Sequence, residues 1–240
     1  MCTLSIISLA GGGGGGGGFR VVMNRDEERT RPPALPPRWH ELPGGKRAIW
    51  PVDPSGGGTW IAAAQGGGGA GGLVCCLLNG NPREPPPLPA PARALSRGLI
   101  IPTVIGEADA PAAISAAASM ELDRFPPFRL VAVDAGPRVV DLRWDGRACV
   151  RSETSSAACF VSSGLGDHLA ADRLPLFAEM VGRSPGAAAQ DAFHRHSWPG
   201  RERVSVMMRR DDARTVSVAT VTVVSGRVEM DYEAVAPGLG

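Results

Sequence analysis

Short apolar, β-branched runs alternate with glycine and proline along most of this chain, and the first run begins at its second residue. Cys2-Thr-Leu-Ser-Ile-Ile-Ser-Leu reads as a strand, and Phe19-Arg-Val-Val-Met as a second strand ending at Asn24-Arg25-Asp26-Glu27. The glycine run 11–18 joins them. No helical pattern follows it, so it predicts a flexible hairpin tip rather than a dinucleotide-binding loop. Pro32, Pro33, Pro36, Pro37, Pro43, Pro51 and Pro54 predict a loop over 28–55 that could wall a site. Thr59-Trp-Ile-Ala-Ala-Ala and Leu73-Val-Cys-Cys-Leu-Leu are two further strands, with Asn79 at the exit of the second.

Alanine-rich spacing then predicts helices over 91–101 and 108–122. Leu130-Val-Ala-Val-Asp and Val139-Val-Asp-Leu-Arg-Trp form a hairpin around Ala135-Gly-Pro-Arg, and Cys159-Phe-Val-Ser another strand. Helical spacing returns over 166–181 and 187–194. Strands over 203–208, 215–221 and 227–232 close the chain, with turns at Asp211-Asp212 and Ser225-Gly226. Strands at both ends with helices between them give an α+β layered architecture of mostly antiparallel sheets, in one domain over 1–240.

Composition narrows the classes of partner. The chain has 25 basic and 24 acidic side chains, a formal charge of +1, so nothing in the balance recommends nucleic acid or an anionic membrane; a small molecule fits. The N-terminus lacks a basic n-region and its apolar stretch runs straight into glycine. It reads as neither a signal peptide nor an integral membrane segment, and a cytoplasmic location is expected. Cys2, Cys75, Cys76, Cys149 and Cys159 have no zinc-ligand or redox-pair spacing, so reduced thiols, no metal and no cofactor are expected. His168, His194 and His196 read as surface or helix-capping residues, and Arg209-Arg210-Asp211-Asp212 as a solvated turn. The oligomeric state is not legible.

Cys2 carries the candidate chemistry. Removal of the initiator methionine before a small residue would leave it as the free N-terminus, combining a thiol and an α-amine in one residue. Their reference pKa values, about 8.5 and about 7.7–8.0, let the amine take the thiol proton near neutral pH. Such a nucleophile needs a carboxylate for the ammonium, a cation for the thiolate and neutral donors for an oxyanion. Arg25 and Asp26 end the strand expected to pair with that of Cys2, and Asn79 ends another.

Met1-Cys2-Thr, Asn24-Arg25-Asp26-Glu27 followed by Arg31-Pro32, Gly57-Gly58-Thr59-Trp60 and Leu78-Asn79 resemble, in order and spacing, the NRDE (transport and Golgi organization 2-like) family. The segments Ser163-Gly-Leu-Gly-Asp167 and Arg209 to Ser217 extend the resemblance over nearly the whole chain. That family is similar to the N-terminal nucleophile (Ntn) hydrolases of the penicillin V acylase and bile salt hydrolase group. The resemblance implies a four-layer αββα sandwich with Cys2 as nucleophile, Arg25 near the thiol, Asp26 near the α-amine and Asn79 as oxyanion donor. Asn24 could substitute for Arg25 or Asp26, Trp60 would fill the core or a pocket wall, and Ser163 stands in the stretch where the acylases have a late asparagine. Arg209 is matched to their late arginine.

Two departures from that pattern matter: adjacent Arg25 and Asp26 point to opposite faces if the strand continues through them, and serine replaces the late asparagine. Two functions follow. One is hydrolysis of a non-peptide carbon–nitrogen amide bond through a thioester. The other is a lipid- or haem-handling or trafficking protein that keeps the fold without the reaction.

Overall fold

The computed structural model describes residues 2–9, 17–66, 71–90, 92–134 and 138–236. In chain order, β1 (Cys2–Leu9), β2 (Gly18–Glu28), β3 (Leu35–Glu41), β4 (Arg47–Val52), β5 (Ile61–Ala64) and β6 (Leu73–Asn79) precede two helices, α1 (Ile100–Val104) and α2 (Ala110–Ala118). Then come β7 (Phe128–Val133), β8 (Arg138–Trp144), β9 (Cys149–Ser155), β10 (Ala158–Ser162), α3 (Arg173–Phe177), α4 (Ala187–His194), β11 (Ala213–Val224) and β12 (Arg227–Ala234).

The strands form two antiparallel sheets, one ordered β10-β1-β2-β11-β12 and the other a meander from β3 to β9. Their inner faces meet in a core that includes Leu4, Ile6, Phe19, Val21, Met23, Val74, Cys76 and Leu78, all at most 1% exposed. The period of two along each strand turns the alternate residues outward. On the seven-stranded sheet these are Leu73, Cys75 and Leu77, which pack against α1 and α2. On the five-stranded sheet Ile7 packs with Phe177 of α3, Phe193 of α4 and Val206. The result is the four-layer αββα sandwich that the resemblance implies. β6 is buried on both faces, which accounts for its unbroken apolar sequence.

Several predicted elements are corrected. Residues 28–55 contain β3 and β4, because Pro36 and Pro37 lie on an edge strand, where a missing N–H is tolerated, at a register shift between Leu35 and Arg38. In the predicted helix 91–101, the described residues hold a turn and a short 3-10 segment, Arg97–Leu99, leading into α1. The helix over 166–181 is three short pieces, the 3-10 turn Asp167–Ala170, α3 and the π turn Ala178–Gly182. Residues 203–208 are not a strand. Met207 N–H donates to the His196 carbonyl at 2.9 Å and Met208 N–H to Thr215 Oγ1 at 2.9 Å, so irregular partners replace a ladder. β9 had no apolar signal because all its residues are exposed.

β1 and β2 pair from Cys2 with Arg25 to Leu9 with Gly18, as a hairpin requires; Ala10 and residues 11–16 of the glycine run lie outside the described residues, as do 135–137. No helix among the described residues is long and apolar enough to cross a membrane.

Candidate active site

Cys2 begins the central hairpin of the five-stranded sheet and is held on both sides, by Arg25 of β2 and Ser162 of β10. Its backbone N–H donates to Ser162 Oγ at 3.1 Å. The nitrogen that becomes an α-amine if Met1 is lost therefore already has a hydroxyl acceptor. Cys2 is buried, 7% exposed, beside a cavity of about 140 Å³ also lined by Arg25, Asp26, Trp60 and Asn79. Burial raises the Cys2 thiol above its ordinary value; the Asp26 carboxylate adds to the rise, while the Asp26 N–H and the Arg25 guanidinium act against it.

Arg25 shares the inward face with Cys2. Its guanidinium lies over the Trp60 ring at 4.2 Å and is bonded to Glu27 Oε2 at 3.3 Å and Asp53 Oδ2 at 3.2 Å. Arg31 donates to the same Asp53 oxygen at 2.5 Å. Asp53 is presented by a tight turn in which its other oxygen accepts the Ser55 N–H at 3.0 Å. Burial acts upward on the Asp53 carboxyl, but the Arg31 and Ser55 hydrogen bonds and the two guanidinium charges outweigh it and hold the group below its ordinary value.

The turn also accounts for the Gly-Gly-Thr-Trp motif. Gly57 adopts φ +67°, and a Cβ on Gly58 would stand 2.3 Å from the Gly98 carbonyl carbon. That close backbone crossing, closed by Thr59 N–H to Gly98 O at 3.0 Å, brings Ser96 and Arg97 to the cavity wall. Gly58→Ala is expected to lower stability by about 1–3 kcal/mol, as overpacking does. Urea unfolding checks this; an unchanged midpoint would show that the crossing yields freely.

β2 runs on to Glu28, so Arg25 and Asp26 do lie on opposite faces. The Asp26 side chain is turned toward the α3 layer, where Thr215 Oγ1 donates to Oδ1 at 2.6 Å and Arg173 Nη1 lies 3.5 Å from Oδ2. Opposite this pair β11 carries an irregularity, with Thr215 on Asp26, Ser217 on Arg25 and Val216 extra. Asn79 ends β6 and lines the cavity, and among the described residues its side chain makes no hydrogen bond. Trp60 lines the same cavity.

The other expectations fall elsewhere. Asn24 is fully buried on the outer face, its amide nitrogen bonded to the carbonyls of His194 and Val206 and its oxygen to His194 Nδ1. Both ends of the amide are occupied, which leaves it nothing to offer a ligand in the cavity. Ser163 turns its hydroxyl to the Leu165 N–H, 3.2 Å away, and its own N–H donates to Asp167; neighbouring Ser162 is the serine in register with Cys2. His194 is no surface residue: it bridges Ser5 Oγ and Asn24 Oδ1, and burial pushes its ring down to about 3, leaving it neutral. Arg209 lies outside the lining of the Cys2 cavity.

Ser162, Asp53, Arg97 and Arg173 were not among the sequence candidates. Ser162 alone had a usable signal, the parity of a strand pairing with β1. No cluster of three or more metal-ligating side chains is found among the described residues.

The fold is similar to that of penicillin V acylase from Agrobacterium tumefaciens, with a TM-score of 0.53 at 13% identity over 98% of this chain and 83% of that one. The Caenorhabditis elegans ortholog of N-acylethanolamine-hydrolyzing acid amidase gives 0.53 at 11% identity over 95% and 94%. At such identities the likeness is one of fold, and it is the Ntn-hydrolase fold. Comparison with curated proteins gives no match. The model of the family described as Transport and Golgi organisation 2 matches residues 17–165, more than half of the 240, and the chain belongs to that family.

Proposed function

We propose that the protein is an N-terminal-cysteine hydrolase of a linear amide. The observation that carries this reading is the double anchoring of Cys2, with its nitrogen on Ser162 and its thiol in a cavity shared with Arg25 and Asn79. Once Met1 is removed, the α-amine takes the thiol proton and sulfur attacks the carbonyl carbon. The Asn79 amide is the neutral donor for the resulting oxyanion. The C–N bond then breaks as the ammonium returns its proton to the leaving amine, giving a thioester. Water, deprotonated by the same amine, attacks the thioester; the C–S bond breaks and the thiol is reprotonated. Arg25 steadies the thiolate while Glu27 and Asp53 fix its guanidinium. All five cysteines are free thiols, which supports a reducing compartment, the cytoplasm.

A second reading has its own support. Beside the Cys2 cavity lies one of about 480 Å³ lined largely by Pro82, Pro86, Leu88, Pro127 and Leu165, with Arg97 common to both. Such walls suit retention of a lipid- or haem-like ligand without any reaction.

Intact-protein mass spectrometry with a β-lactone probe separates the two. The hydrolase reading expects loss of Met1 and one adduct, absent in Cys2→Ala. Because burial holds the thiol above its ordinary value, the thiolate fraction is small at neutral pH, and labelling should rise by about tenfold per pH unit below the pKa. Arg25→Gln removes a lowering charge and should slow labelling at neutral pH. Retained Met1, or adducts confined to the exposed Cys149, would refute the nucleophile.

A further inference from the structure

Arg209, Asp211 and Asp212 are exposed, as a solvated turn requires, and Arg210 is the exception. Arg210 is buried, and the segment folds back on the chain: Arg210 N–H donates to Ala213 O at 2.8 Å and Arg209 N–H to Glu202 O at 3.0 Å. Arg29, just beyond β2, locks the turn from the other side, its N–H donating to Asp212 O at 3.0 Å and its Nε to Arg210 O at 2.9 Å. Between these segments is a cavity of about 580 Å³ walled by Arg29, Arg203, Arg209 and Arg210.

Its charges are poorly compensated. Arg210 is 9% exposed, yet its Nε and Nη1 are buried without a hydrogen bond, and its ion pair to Asp212 is 3.4 Å long, to a carboxylate 72% exposed. A guanidinium taken out of water with donors unmet is costly unless an acceptor arrives. Arg29, Arg203 and Arg209 have no ion pair among the described residues. The acidic residues on the wall are Glu202, Asp211 and Asp212, and Glu202 already accepts the Gly200 N–H at 2.9 Å. An adjoining cavity shares Arg29, Glu202 and Arg209 and adds Arg195 and Arg214. Arg195 is paired with Glu233, whereas among the described residues Arg214 donates to backbone carbonyls, among them Val235 O at 2.7 Å.

We propose that this cavity is an anion site for the phosphate group of a soluble phosphomonoester or pyrophosphate, with Arg210 at its buried end and Arg29, Arg203 and Arg209 at its mouth. Several guanidinium forks around one space suit a group with three or more acceptor oxygens and up to two charges better than a single carboxylate. The site does not involve Cys2 and stands whether or not the hydrolase reading does.

Isothermal titration of the full-length protein with pyrophosphate and with inorganic phosphate, ionic strength held constant with chloride, tests it. Saturable 1:1 binding is expected, weakened about tenfold or more by Arg203→Gln and by Arg209→Gln, which alter exposed side chains, and unaffected by the remote Arg47→Gln. Arg210→Gln should abolish binding; if that variant fails to fold, the two exposed variants decide. The proposal is overturned by absence of saturable heat with either anion, by equal heat from sulfate, or by affinity unchanged in the Arg203 and Arg209 variants. Binding to phosphatidic acid vesicles without any response to soluble phosphate would make the arginines a membrane-contact surface and also overturn it.

Discussion

Cys2→Ala is expected to lower turnover of a linear N-acyl amide by about 10⁴-fold or more, since it removes both the bond-forming atom and the thioester intermediate. Asn79→Ala should behave differently. Losing one neutral oxyanion donor costs about 10²–10³ in kcat, and because that amide makes no hydrogen bond to the described protein, folding should be little changed. The two variants divide the reaction: Cys2→Ala also abolishes probe labelling, whereas Asn79→Ala leaves thiolate formation untouched and slows only steps through a tetrahedral intermediate. Steady-state kinetics on a panel of N-acyl amides, with circular dichroism as the folding control, measures both. Turnover retained in Cys2→Ala would place the nucleophile elsewhere, and Asn79→Ala at wild-type kcat would remove that side chain from the oxyanion site.

The first strand and its partner were legible because both are rich in aliphatic and β-branched residues: Leu4, Ile6, Phe19, Val21 and Met23 fill the inter-sheet core, while Ile7 and Val22 are buried on the other face, and the structure supplies the register of Cys2 with Arg25. β3 was hidden by Pro36 and Pro37, which disqualify a central strand but not an edge one. β9 was hidden by exposure on every residue, since periodicity exists only where one face is buried. The segment 203–208 shows the converse. Val206 and Met208 are buried and alternate, yet they fill a gap under an irregular chain.

At the site, Cys2, Arg25, Trp60 and Asn79 were readable as motif residues at strand ends. The residues that hold Arg25 and border the cavity were not, because Asp53, Ser96 and Arg97 arrive through the backbone crossing of Gly58 and Gly98, a contact between segments forty residues apart. Asn24 misled for a related reason: sharing a motif with Arg25 does not mean sharing a face.

Arg173→Met is expected to cost about 3–5 kcal/mol of folding stability, the usual consequence of removing one member of a buried ion pair. Arg173 is 1% exposed and comes from α3, in the outer helical layer, beneath the first residues of β1 and the end of β2. Its Nη1 donates to Thr3 Oγ1 at 2.6 Å and lies 3.5 Å from Asp26 Oδ2, while Nε donates to Val204 O at 3.0 Å. One guanidinium thus ties the residue after Cys2 to the residue after Arg25, and both to the loop beneath them. Methionine can fill much of the volume but donates nothing, so the Asp26 carboxylate would stay buried beside Thr215 without this cation, and two further acceptors would lose their donor. Adding Asp26→Asn removes the buried charge, so the double variant should be less destabilised than the sum of the two single ones. Urea unfolding of the four proteins closes that cycle. A loss below about 1 kcal/mol in Arg173→Met, or strict additivity in the cycle, would mean that the Arg173–Asp26 contact does not hold Cys2's hairpin to the helical layer.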